Sequence, residues 1–135
     1  MDIMAQLHGM ISFLIYFGSA VGMTCLFAFV YAMITPYREF ELIRIGNKAA
    51  AYSMSGAILG FAIPLASAIV HSVGFLDMLM WSIVAFVVQV LVFRVMMLVL
   101  KGLANGIRDG VESNGLFLGM MSVVAGILNA ASMSY

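Results

Sequence analysis

The chain has 135 residues, 64% of them hydrophobic and 9% charged, and its six basic and six acidic side chains give a formal net charge of zero. So apolar a composition excludes a water-soluble domain, the neutral balance leaves no basic face for nucleic acid, and a lone Cys25 excludes an intrachain disulfide and argues against a cysteine-built metal site. The lipid bilayer is the solvent that suits it.

A spanning helix needs about 20 mostly apolar residues, and four such segments can be drawn, near residues 7–34, 49–73, 79–100 and 114–134. The leader of the first carries Asp2 where a secretory signal carries bases, and its apolar run is too long for one, so it is expected to persist as the first span. It contains Gly18-xxx-Gly22 and ends at Thr35-Pro36, where proline biases the preceding residue away from helix. Residues 37–47 set Arg38, Glu39, Glu41 and Arg44 against Tyr37, Phe40, Leu42, Ile43 and Ile45, the pattern of a short amphipathic turn or helix in the headgroup region. Gly46-Asn47 then breaks it and can cap the second span.

The second span contains Pro64 and leads through a tight turn to Trp81, placed to anchor at an interface. The third is bulky, from Phe86 to Phe93, with no glycine between Gly74 and Gly102, which suits lipid or another subunit. Residues 101–113 are rich in glycine, asparagine and mixed charge and are expected to be mobile. Arg38, Arg44 and Lys48 flank the first connection, and Arg94, Lys101 and Arg108 surround the third. The positive-inside rule therefore puts both connections in the cytoplasm and both termini in the periplasm.

Small and polar residues recur at helical spacing on two spans. Ser53, Gly56, Gly60, Pro64, Ser67 and His71 share one face, as do Gly115, Gly119, Ser122, Gly126 and Asn129. Adding 66 maps Ser53 to Gly119, Gly56 to Ser122 and Gly60 to Gly126, which reads as a duplicated two-helix unit, about 7–73 and 79–134. The fold expected for the single domain, 1–135, is all-α and polytopic: four spans as two parallel-related hairpins. Small residues let helix backbones approach in lipid, so the stripes, with Gly18 and Gly22, are packing faces; the sharper reading makes them the wall of a polar path.

Gln89, Arg94 and His71 are the candidate intramembrane polar residues. Gln89 lies mid-span and needs an internal partner, which makes it glue between helices or, alternatively, part of a substrate path with Arg94. Arg94 can snorkel to the cytoplasmic headgroups. His71 and His8 lack a third ligand, and the thirteen methionines read as packing rather than a copper site, so no metal or cofactor is expected. No HExxH, GxSxG or P-loop occurs, and no carboxylate pair lies within a span, so no enzyme is expected. Arg38, Glu39, Glu41, Arg44, Lys48, Arg108, Asp109 and Glu112 form a candidate cytoplasmic docking surface.

The runs ITPYREFELI at 34–43, SGAILGFAIPLASA at 55–68 and GLFLGMMSVVAGILNAASMSY at 115–135 resemble the YjfL family of small bacterial inner-membrane proteins, over nearly the whole chain. That family is a domain of unknown function, so the resemblance implies an inner-membrane location and repeated helix pairs but no substrate or catalytic residue. Some members carry Cys and Trp where this chain has Ser132 and Tyr135, a departure that weakens the idea of a thiol site at the outer end of the fourth span. The resemblance also implies an envelope-stress setting beside phage-shock-type membrane proteins and ATP-grasp ligases. The resulting expectation is a homo-oligomeric membrane scaffold or anchor for a cytoplasmic protein partner; the alternative is an oligomeric channel or small-solute path.

Overall fold

Each apolar run becomes a helix because backbone amides in a bilayer must be satisfied within the segment, and the helix ends fall where the sequence supplies substitutes for the missing bonds. A computed structural model describes residues 2–133, so the expected end of the fourth span at Ser134, and Tyr135, lie outside the described residues. The order is α1 (Ile3–Ile34), α2 (Glu39–Arg44), α3 (Lys48–His71), α4 (Phe75–Val99), α5 (Leu103–Arg108) and α6 (Glu112–Ser132), and α1, α3, α4 and α6 are long and apolar enough to cross a membrane. Asp2 caps α1 by accepting from the Met4 amide, and Asn47 caps α3 by accepting from the Ala50 amide. Gly46 and Gly102 take positive φ, 92° and 80°, at the chain reversals before α3 and α5.

The core is a three-helix unit of α3, α4 and α6, with α3 against α6 its most extensive contact. The two run parallel, since Ala49 meets Gly115 near their starts and Gly60 meets Gly126 further along, both pairs 66 residues apart in sequence. A helix continues through Pro64, which has no amide hydrogen for the Gly60 carbonyl four residues back; that carbonyl lies against Gly126 instead.

At 32 residues α1 is about 48 Å long, more than the hydrocarbon thickness. Only Phe27 and Tyr31 along it are buried. Phe27 stacks on Phe61 at 4.5 Å between ring centroids and meets Phe86 edge-on at 5.5 Å, while Tyr31 meets Phe93 edge-on at 5.5 Å. These contacts fasten the second half of α1 to α3 and α4, and the first half contacts the bundle through Tyr16 against Phe75. The exposed apolar face is thus broader on α1 than on α4, whose Met80, Ile83, Val87, Leu91 and Val95 are exposed as well. Cys25 is exposed on that outer side of α1 rather than filling a gap.

Gly18 and Gly22 require correction. Nothing lies within 4 Å of where a side chain would be built on either, so they take no part in the intrachain seam. The expectation of a mobile 101–113 connection also fails: it contains α5, whose Leu103 and Ile107 are buried, because these two apolar residues four apart give the short helix a side to pack.

Candidate functional site

The seam between α3 and α6 is built from the two stripes. A methyl group on Gly56 would strike the backbone of Gly119, one on Gly60 the carbonyl of Ser122, one on Gly115 the backbone of Ala49, one on Gly119 the carbonyl of Tyr52, and one on Gly126 the backbone of Gly60. Ser53, Pro64 and Ser122 are buried in the same band. Towards the far end the band opens: Ser67 and Asn129 are half-buried and His71 is exposed, its Nδ1 3.0 Å from the Ser67 carbonyl oxygen. Backbones in contact leave no lumen between these two helices.

Gln89 comes from α4 into this seam. Its side chain is fully buried and its Nε2 donates to the Ser122 carbonyl at 3.0 Å, beside Gly60. Arg94 and His71 do not join it. Arg94 is exposed and lines a groove of about 340 Å³ with Ile34, Pro36, Phe93, Met97 and Leu103, and His71 stands at the opposite end of the bundle. The three candidate intramembrane polar residues therefore form no single site, because helical register sends Arg94 outward while Gln89 points in.

The two charged connections fold into one surface. Asn47 Nδ2 donates to the Ile107 carbonyl at 2.9 Å and the Arg108 carbonyl at 3.2 Å, and Arg108 donates to the Pro36 carbonyl at 2.9 Å and to Asn105 Oδ1 at 3.0 Å. Lys48 and Glu112 approach at 3.9 Å across the starts of α3 and α6, and Arg38 pairs with Glu41 at 3.2 Å. Arg38, Glu41, Arg44, Lys48, Arg108, Asp109 and Glu112 are all exposed on this end.

Glu39 does not belong to that surface. The docking expectation is corrected here: its residue is 1% exposed, with neither carboxylate oxygen hydrogen-bonded. Tyr31 Oη, Tyr37 Oη and Ser53 Oγ are likewise buried without hydrogen-bond partners. The Thr35 hydroxyl nearby donates to the Ala32 carbonyl at 2.8 Å. Burial pushes the Glu39 carboxyl up from 4.5 to about 8, against an opposing pull from Thr35. Burial also pushes the Tyr37 phenol up, aided by the Glu39 charge and opposed by Ser53 and Arg108. This cluster was missed because Glu39 sits in a run of alternating charge that looks solvated. The available signal was the aromatic pair Tyr31 and Tyr37 shortly before a carboxylate at a span boundary. Among the described residues, no group of three or more His, Cys, Asp or Glu could hold a metal ion.

Comparison with known proteins agrees with a bundle of spans. The family model described as Domain of Unknown Function (DUF350) matches residues 4–133. The UPF0719 inner membrane protein YjfL of Escherichia coli (strain K12) is 37% identical over 129 residues, covering 96% of this chain and 98% of that protein. The UPF0719 transmembrane protein YshE of Bacillus subtilis (strain 168) is 35% identical over 72 residues, covering 53% of this chain and 54% of its own. No solved structure matches. With four spans and a relative of nearly equal length in the inner membrane, the chain is an integral inner-membrane protein and belongs to the DUF350 family.

Proposed function

We propose that this protein is an oligomeric membrane scaffold that docks a cytoplasmic protein, with both termini periplasmic. The observation that carries the reading is the joined α2–α5 end: two connections separated by 60 residues in sequence are tied by Asn47 and Arg108 into one exposed surface of both charge signs. A fixed constellation of charges suits recognition of a protein surface, because complementary charge gives specificity and register. All basic residues but Arg94 and Lys101 flank this surface, which favours a cytoplasmic orientation. Envelope stress remains the setting that the family resemblance suggests.

The self-association surface in this reading is the outer face of α1. Gly18, Gly22 and Cys25, at spacings of four and three, share that face, and all three are exposed. An unused small-xxx-small pair on an exposed span is the usual geometry for close pairing of membrane helices. Mild oxidation of the protein in membranes is expected to join two copies through Cys25, and Gly22→Leu is expected to abolish that product.

The docking role is tested by reversing charge at Arg38 and Arg44, which among the described residues make no hydrogen bond or ion pair to another span. The double variant is expected to assemble normally and to lose a stoichiometric cytoplasmic partner that copurifies with the unaltered protein. Retention of that partner, or sodium, potassium or chloride flux through liposomes carrying the purified protein, would overturn the scaffold reading.

A further inference from the structure

We propose that Tyr31, Tyr37, Glu39 and Ser53 form a binding site for a small hard monovalent cation of sodium's class, with the Glu39 carboxylate as its anionic ligand. Four separate segments deliver these groups: Tyr31 from the end of α1, Tyr37 from the link after it, Glu39 from the first turn of α2, and Ser53 from α3. Each residue is at least nine-tenths buried, and each carries side-chain oxygen with no hydrogen-bond partner. Tyr31 and Tyr37 belong to one buried cluster, Glu39 follows Tyr37 by two residues, and α2 packs on α3, which carries Ser53.

The donor set selects the ligand. All the unpaired atoms are oxygens, which favours a hard cation over a soft one. One carboxylate supplies one negative charge, which a monovalent ion neutralises, whereas divalent ions are commonly held by several carboxylates or by water and phosphate. Among the described residues no base forms an ion pair with Glu39: Arg38 pairs with Glu41, and Arg108 is exposed and donates to Asn105 and Pro36.

The same burial that disfavours charge on Glu39 is relieved when a cation sits beside it.

The test uses the full-length protein in detergent at pH 9, comparing thermal unfolding midpoints in sodium chloride and in choline chloride at equal ionic strength. Sodium is expected to raise the midpoint by a few degrees, saturably. Glu39→Gln is expected to remove the difference, Ser53→Ala to reduce it, and Glu41→Gln to leave it intact. Equal midpoints in sodium and choline would overturn the proposal with the unaltered protein alone, as would a response to magnesium in place of sodium. A sodium response undiminished in Glu39→Gln, or in Ser53→Ala should Glu39→Gln fail to fold, would overturn it too.

Discussion

Gln89 donates its side-chain amide to the backbone carbonyl of Ser122, 3.0 Å away, and so pins α4 to the seam where α3 and α6 lie backbone to backbone. The acceptor is a main-chain oxygen, so the contact depends on where the helices are rather than on what side chain Ser122 carries. Hydrogen bonds of this kind between spans contribute about 1 kcal/mol.

Replacing Gln89 by leucine is therefore expected to lower stability by about 1 kcal/mol, since the lost bond is partly offset by removal of a buried, unpaired amide oxygen. Denaturant titration of the purified protein in mixed micelles measures this. A loss several times larger would show that the residue holds more than one helix contact.

Gly60→Leu and Gly126→Leu are expected to separate α3 from α6, with a loss of at least about 3 kcal/mol, because the obstructing atoms are backbone and cannot rotate away. Gly18→Leu should leave monomer stability within about 0.5 kcal/mol, its surroundings being open. Thermal midpoints of the variants, run side by side in monomeric form, check the contrast.

Glu39 gives a pH dependence of definite sign. Its folded value of about 8 lies above the ordinary 4.5, so between those values the folded state keeps a proton that the unfolded state has released. Stability from this group is complete below about 4.5 and is lost as pH rises through 8, at up to about 1.4 kcal/mol per pH unit. In sodium-free buffer the unfolding midpoint should fall over that range, and Glu39→Gln should flatten the profile.

Asn47→Ala removes the cap on α3 and the tie to α5 together. A cost of about 1 to 2 kcal/mol is expected from the cap. Amide hydrogen exchange should quicken across Leu103–Arg108 more than across α4, to which Asn47's side chain makes no hydrogen bond.

Composition alone required spans, because no other arrangement lets so apolar a chain satisfy its backbone in lipid. The helix ends at Asn47 and Thr35-Pro36 were legible for an equally local reason: capping and proline geometry act over three or four residues. The spacing of Gly56, Gly60, Gly119, Ser122 and Gly126 marked faces suited to close approach, since helical periodicity fixes which residues share a side.

Which face meets which was decided only in three dimensions. Gly18 and Gly22 have the same spacing as the seam glycines yet stand open, since a stripe records that a face can pack and not what lies opposite. Glu39 looked solvated beside Arg38 and Glu41, and it is buried because α2 folds back against α3, the span that follows it. The chain dictated its local conformations and its solvent through short-range geometry and hydration; the seam partner of Gln89 arose from long-range packing, and the enclosure of Glu39 from the way α2 folds back on the next span, neither of which side-chain identity at a single position encodes.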